Sequence, residues 1–213
     1  QADWLIGDEV LGTAFRNMSD PNSVSHPNTY LGNFWADTLG SDAGGVHTNS
    51  SIQNLWYVLL TEGGVGINDN GDAFSVDSIG LLNASKIAFR NLTVYLTPSS
   101  GFYDARFYSI QSTIDIFGDF SLEHEAVTNA WHAVGVGDKF NRYVVIPDNN
   151  FENYLEANSM GDGVYLNDTV LYQNIYMVTL LDVDNQSISD LTGIESFISI
   201  ENLDCSHNNL DTL

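Results

Sequence analysis

The chain has 213 residues, 43% of them hydrophobic and 12% aromatic, enough to bury the core of one ordinary domain and a smaller second one, which excludes disorder over most of its length. Its 28 acidic and 6 basic residues give a net charge of −22, so it repels nucleic acid and anionic membrane surfaces; calcium binding, solubility in a salty medium and secretion remain open. The longest apolar runs, such as Trp56 to Leu60, fall far short of the roughly 18–20 residues that span a bilayer, and the single cysteine, Cys205, excludes an internal disulfide.

A chain that opens Gln1-Ala2-Asp3-Trp4, without methionine or a signal peptide, is expected to be a processed or truncated product. Residues 1–50, rich in Gly, Asn, Asp, Ser and Pro, read as long loops with short helical pieces. Four helices follow. Ile52, Leu55, Trp56, Leu59 and Leu60 share the face of the first, which Asn49 or Ser50 can cap and Gly63-Gly64 ends. After a Gly/Asn/Asp loop from Gly64 to Asp72, the second runs from about Ile79 to Tyr95, with Ala84, Ile87, Ala88 and Leu92 spaced for burial. Within that loop, Asn68-Asp69-Asn70-Gly71-Asp72 lacks the glycine spacing of an EF-hand and reads as a polar turn. The third helix runs from about Tyr103 to Phe117, closed by Gly118. Ser121 caps the fourth, which buries Val127, Ala130, Trp131 and Val134 before Gly135.

The informative stretch is Asp42-Ala43-Gly44-Gly45-Val46-His47-Thr48-Asn49-Ser50. A histidine follows a Gly-Gly turn, and an aspartate stands five residues upstream, where a folded-back loop can bring it to the ring. An imidazole held by a carboxylate keeps one tautomer and can donate a hydrogen bond to a developing oxyanion. Alone, a loop histidine is usually no more than that. Two further motifs precede it in order: Asp3-Trp4-Leu5-Ile6-Gly7-Asp8-Glu9 and Arg16-Asn17-Met18-Ser19-Asp20-Pro21. Together the three resemble the thermolysin family of zinc metallopeptidases. The likeness continues through the Arg90 to Pro98 segment and ends at Trp131-His132-Ala133-Val134-Gly135-Val136, covering about residues 1–137.

That resemblance implies a mainly α fold, the helical C-terminal domain that closes one wall of a peptidase cleft. It implies catalytic roles for His47, Asp42 and Arg16: stabilising the tetrahedral intermediate, orienting His47, and gripping the substrate carbonyl on the leaving-group side. Arginine suits the last task because its planar fork stays charged. Ile6, Val10 and Phe15 match positions lining the pocket for the residue after the scissile bond; ordinary core is the alternative for each. Asp3 and Asp8 match calcium ligands, but Leu5 replaces a further acidic one, so a paired calcium site is not expected. The zinc ligands, an H-E-x-x-H and a downstream Glu, are expected upstream of Gln1. His124-Glu125-Ala126-Val127 begins like that motif but ends in Thr128, a chance near miss on the fourth helix.

Around Gly137 to Asn141 the character changes, and residues 138–213 read as a second unit with a polar loop at Asn158 to Asp168. Leu181-Asp182-Val183 recurs as Leu203-Asp204-Cys205; Ile188 and Leu191 recur as Leu210 and Leu213, and Gln186 as Asn208, a period of 22. This is the leucine-rich-repeat pattern. The segment Ile146 to Leu155 resembles the cap that precedes such repeats in secreted proteins of the Bacteroidetes type. A small α/β cap with the first repeats is therefore expected, followed by further repeats. Cys205 is expected as a buried strand residue without redox role.

The function implied is part of a secreted or cell-surface bacterial zinc metalloendopeptidase acting on protein or peptide substrates, inactive without its own N-terminal zinc-binding domain. The rival is a non-catalytic extracellular binding module in which a peptidase-like domain supports the repeats. Retention of His47, Asp42 and Arg16 together favours the enzyme.

Overall fold

The structure, a computed structural model, describes residues 3–37 and 39–210. Two units divide the chain, Gln1–Phe140 and Asn141–Leu213. The first opens on a small hairpin that sequence reading takes for loop. Strand β1 (Leu5–Ile6) pairs antiparallel with β2 (Arg16–Asn17), setting Ile6 opposite Arg16. Between them a one-turn helix, α1 (Asp8–Leu11), is bounded by the left-handed glycines Gly7 and Gly12.

Helix α2 (Ser41–Asn49) runs almost without a break into α3 (Ser51–Glu62). The side-chain cap expected from Asn49 or Ser50 is therefore absent: Ser50 has helical φ/ψ, so α3 has no free N-terminus to cap. Helix α3 buries Ile52, Trp56, Leu59 and Leu60 as its spacing requires, and Val58 as well. The loop expected after it is a hairpin, β3 (Gly64–Ile67) paired with β4 (Ala73–Val76). Its polar turn is organised by the buried Asn68, whose Oδ1 accepts from the backbone N–H of Asn70 and of Asp72, each at 3.0 Å. Glycines in β3 had masked the strand by removing its alternation.

Helix α4 (Gly80–Arg90) passes into a π turn (Asn91–Tyr95). The looser turn changes the helical phase, and here the burial expected of Leu92 is corrected: it is 66% exposed. Asn91 turns inward instead and donates Nδ2 to the Ala105 carbonyl at 3.1 Å. Helix α5 (Phe102–Phe117) ends at Gly118. Ser121 caps α6 (Leu122–Ala133), its Oγ accepting from the His124 N–H at 3.1 Å. The core gathers around α6, which packs on α3, α5 and β4, with Ala84 and Ile87 of α4 joining it. Trp56 and Trp131 stack with centroids 5.0 Å apart, and the Trp131 indole donates to Ser109 Oγ at 2.7 Å. Truncating either buried ring is worth about 3–5 kcal/mol.

In the second unit β5 (Tyr143–Val145) pairs antiparallel with β6 (Thr169–Leu171). Helix α7 (Asn149–Ala157) lies between them in sequence, and α8 (Tyr172–Ile175) follows. Then β7 (Leu180–Asp182) and β8 (Asn202–Asp204) pair in parallel, with Leu181 opposite Leu203, so each residue faces the one 22 positions on. Phe151, Leu155, Val170, Leu181, Val183, Ile188 and Phe197 form the buried core. Asp148 ties it together. Its Oδ1 accepts from the N–H of Asn150 and Phe151 at the start of α7, and its Oδ2 accepts from Ser189 N–H, Ser189 Oγ and Asp190 N–H. Asn208 does similar work at the turn after β8: Oδ1 accepts from Gln186 and Ile188, and Nδ2 donates to the Val183 and Cys205 carbonyls. Gln186, its counterpart one period earlier, does not copy this and donates to the Asp184 carbonyl. Cys205 is half-buried and lies just past β8, a correction to the buried strand position expected. Leu213, the last residue of the repeat match, lies outside the described residues. Among the described residues no helix is long and apolar enough to cross a membrane.

Candidate catalytic site

Four consecutive residues at the start of α2 are left-handed: Asp42 (φ 70°), Ala43 (φ 49°), Gly44 (φ 80°) and Gly45 (φ 78°). Glycine adopts this freely, whereas each L-residue with a side chain costs roughly 1–2 kcal/mol. Gly45 is further constrained, since a Cβ there would lie 2.9 Å from the Ala36 Cβ and 2.7 Å from Asn49 Nδ2. Asn49 is engaged on both sides of its amide with the Ala36 backbone, which holds the preceding loop against the turn. Strain concentrated in this way is a mark of functional positions.

The turn brings Asp42 to His47, Oδ1 to Nδ1 at 2.5 Å. Asp42 Oδ2 accepts from the Thr48 N–H and Oγ1, both at 3.2 Å. A carboxylate only accepts, so Nδ1 carries the proton and Nε2 faces outward on a ring that is 75% exposed. The His47 hydrogen bond holds the Asp42 carboxyl below its usual range, helped by Thr48 and opposed by partial burial. Arg16 on β2 reaches the same place. Its Nη1 donates to Ser50 Oγ at 3.2 Å, and Ser50 Oγ donates to the His47 carbonyl at 3.0 Å. The three residues picked on sequence thus meet through Ser50, which sequence reading offered only as a helix cap. His26 was not singled out either. Burial pushes its pKa down, the Arg16 charge adds to that, and Asp42 opposes it.

Ile6, Val10 and Phe15 lie on the first hairpin, outside the core. Val10 is 86% exposed, and the Phe15 ring, 51% exposed, covers Gly7, where a Cβ would collide with it. Asp3 Oδ1 accepts from the Leu5 N–H at 3.3 Å, and Asp8 opens α1. Among the described residues no three His, Cys, Asp or Glu side chains gather as a metal site. His124 has a structural setting: Nδ1 pairs with Asp119 at 2.9 Å, and the ring packs against Phe120 and Phe140. Burial pushes its pKa down against the pull of Asp119.

A helical domain presenting a carboxylate-held histidine and an arginine from one wall defines the class. Residues 1–136 match the family model described as the thermolysin metallopeptidase, alpha-helical domain, and the chain belongs to that family. It is 40% identical over 139 residues to the thermostable neutral protease NprT of Geobacillus stearothermophilus and, equally, to the thermolysin of Alicyclobacillus acidocaldarius, in each case covering 63% of this chain and 24% of the relative. A bacillolysin of Brevibacillus brevis is 39% identical over 141 residues, 63% of this chain and 25% of the relative. The chain thus spans about a quarter of the length of these relatives.

Proposed function

We propose that this chain is the C-terminal part of a secreted bacterial zinc metalloendopeptidase that hydrolyses protein or peptide substrates. The supporting observation is the Asp42–His47 pair on its left-handed turn, with Arg16 joined to the His47 backbone through Ser50. In this reading protonated His47 donates through Nε2 to the oxyanion, and Asp42 holds the ring on line. Arg16 exchanges its Ser50 contact for the substrate carbonyl, and Ile6, Val10 and Phe15 line the pocket beyond the scissile bond. Donors fixed in advance act without reorganisation, which is why one such group matters so much to rate. The residues that would hold zinc belong to the N-terminal half, where the metal would supply an activated water. Asp3 and Asp8 would offer carboxylate oxygens to a calcium ion whose other ligands that half would supply.

Residues 138–213 we read as the cap and first repeats of a leucine-rich-repeat array, a binding or anchoring module. The parallel β7–β8 pair at one period and the Asn208 side chain at its turn support this. The test is casein hydrolysis by the complete gene product and by this chain alone. Chelator-sensitive hydrolysis by the complete protein and none by the chain is expected. Hydrolysis by the repurified chain would overturn the split of the active site between two halves. Inactivity of the complete protein would favour the non-catalytic binding module.

A further inference from the structure

An open cavity of about 400 Å³ lies beside the left-handed turn. Three of its lining residues, Tyr30, Trp35 and Phe102, pack edge to face with centroids 4.9 to 6.0 Å apart. Gly44 and Val46, from the segment that carries the Asp42–His47 pair, also line it. Among the described residues no lining side chain is charged, in a chain with 28 acidic residues. The polar lining groups are mostly engaged: Asn49 with the Ala36 backbone, Ser50 between Arg16 and His47, Ser100 with Thr97. Gln53 differs, since its side-chain amide bonds to no other described residue.

We propose that this cavity is an exosite for an uncharged aromatic side chain of a peptide, its ring among Tyr30, Trp35 and Phe102 and its adjoining amide bonded to Gln53. The volume falls in the range of small-ligand pockets. Aromatic walls favour a ring through edge-to-face contacts. A charged group would lose its hydration and meet no counter-charge. One primary amide offers a donor and an acceptor, the match for a peptide bond. An occupant touching Gly44 and Val46 bears on the turn that aims His47, so binding there also reports to the catalytic pair. The exosite role rests on the peptidase reading; binding by the chain does not.

The first measurement is a titration of this chain with N-acetyl-phenylalaninamide, following the Gln53 side-chain amide and the Trp35 indole by ¹H–¹⁵N spectra. Saturable shifts of both with millimolar affinity are expected. N-acetyl-glycinamide and the charged N-acetyl-phenylalanine should each bind at least about tenfold more weakly. Gln53→Leu should weaken the probe about three- to tenfold, the worth of one or two hydrogen bonds. Ala105→Leu, which fills the cavity, should abolish binding; if it fails to fold, Gln53→Leu and the probe series still decide. Absence of saturation up to about 10 mM overturns the site. So does a chain that binds while the complete protein does not, because the zinc-binding half then fills the cavity. In the complete enzyme, the kcat/KM ratio of a long substrate with a distal Phe to the same substrate with Gly there should exceed one and fall on Gln53→Leu. An unchanged ratio in an active enzyme overturns the exosite role. Inactivity would instead overturn the peptidase reading and leave the binding result standing.

Discussion

Asp42–His47 in the first unit and Asp184–His207 in the second are nearly the same pair. Each joins Nδ1 to a carboxylate oxygen, at 2.5 and 2.7 Å, and each imidazole is about three-quarters exposed, 75% and 77%. Their company differs. Asp42 sits in a turn of four left-handed residues, and Arg16 reaches the His47 carbonyl through one serine. Asp184 also accepts from Ser206 Oγ, and Asp204 lies near; Asp184 first and Asp204 second raise the His207 pKa. Among the described residues the charges that act on His207 are carboxylates. An Asp–His contact is therefore not a site by itself. Left-handed backbone does not separate the pairs, since Asn185 (φ 55°) and His207 (φ 52°) share it; the arginine joined to the His47 carbonyl does.

The largest effect that separates the pairs is on turnover. In the complete enzyme His47→Ala should lower kcat about a hundredfold or more with KM nearly unchanged, the usual loss for one oxyanion donor. Asp42→Ala should give a smaller loss in the same direction, through misorientation of the ring. His207→Ala should leave both constants alone. Steady-state kinetics on casein-derived peptides checks all three; a change confined to KM in His47→Ala would mean its role is misassigned.

Carboxylates divide the same way in stability. Asp148 accepts from four backbone N–H groups and the Ser189 hydroxyl, whereas Asp42 accepts chiefly from an exposed ring and Thr48. Asp148→Ala should cost about 2 kcal/mol or more, from a lost cap and buried donors left unpaired. Unfolding of the second unit by urea measures it, with Asp42→Ala as the near-neutral partner. The pH dependence follows in sign. Burial pushes the Asp148 carboxyl up, but the Ser189, Phe151 and Asn150 bonds outweigh it and the net pKa is lowered. A lowered pKa means the unfolded chain binds the proton more tightly. The stabilisation is complete above the unfolded value of about 3.9 and fades as pH falls through the folded one. A second unit as stable at pH 2 as at pH 6 would contradict this.

Sequence periodicity made α3 and α6 legible through their apolar faces, whereas α5, which buries Ala105, Ser109, Ser112 and Thr113, was legible mainly from the Gly118 that ends it. The β3–β4 hairpin was not, since glycine erases alternation, and Leu92 was misplaced because no pattern announces a π turn. The 22-residue period is visible in the sequence, and so is a capping role for Asp148 two and three residues before its donors; what is not legible is its second set of contacts, 41 and 42 positions away. At the site, Asp42, His47 and Arg16 came from motif likeness. Ser50 did not, because what singles it out is its bond to Arg16, a contact that only folding creates.

The turn itself offers a smaller test. Ala43 is left-handed without the freedom of glycine. Ala43→Gly should relieve roughly 1–2 kcal/mol of strain and lose about 0.5–1 to chain entropy, a net gain of about 0.5–1 kcal/mol. Gly45→Ala should do the reverse, since its Cβ meets Ala36 and Asn49. Melting of the two variants gives the sign directly; a destabilised Ala43→Gly would mean that the alanine methyl packs for more than its strain.

The smallest effect concerns Phe15, beside Arg16 on the first hairpin. If it walls the pocket beyond the scissile bond, its ring makes that pocket shallow, and small or medium aliphatic residues are preferred there over Phe. Phe15→Leu in the complete enzyme should then raise kcat/KM for Phe substrates relative to Val substrates. A few methylene-sized groups are worth about 1–3 kcal/mol at most, so a shift of about three- to tenfold is expected. The alternative, that Phe15 serves packing, predicts a lowered melting temperature instead. The ring is half exposed and rests on a glycine, so little core depends on it, and melting should move by no more than a degree or two for the roughly 0.5 kcal/mol of a surface change. The rate ratio and the melting temperature of the same variant separate the two. An unchanged ratio with a clear drop in melting temperature would return Phe15 to the hairpin's own packing and remove it from the pocket.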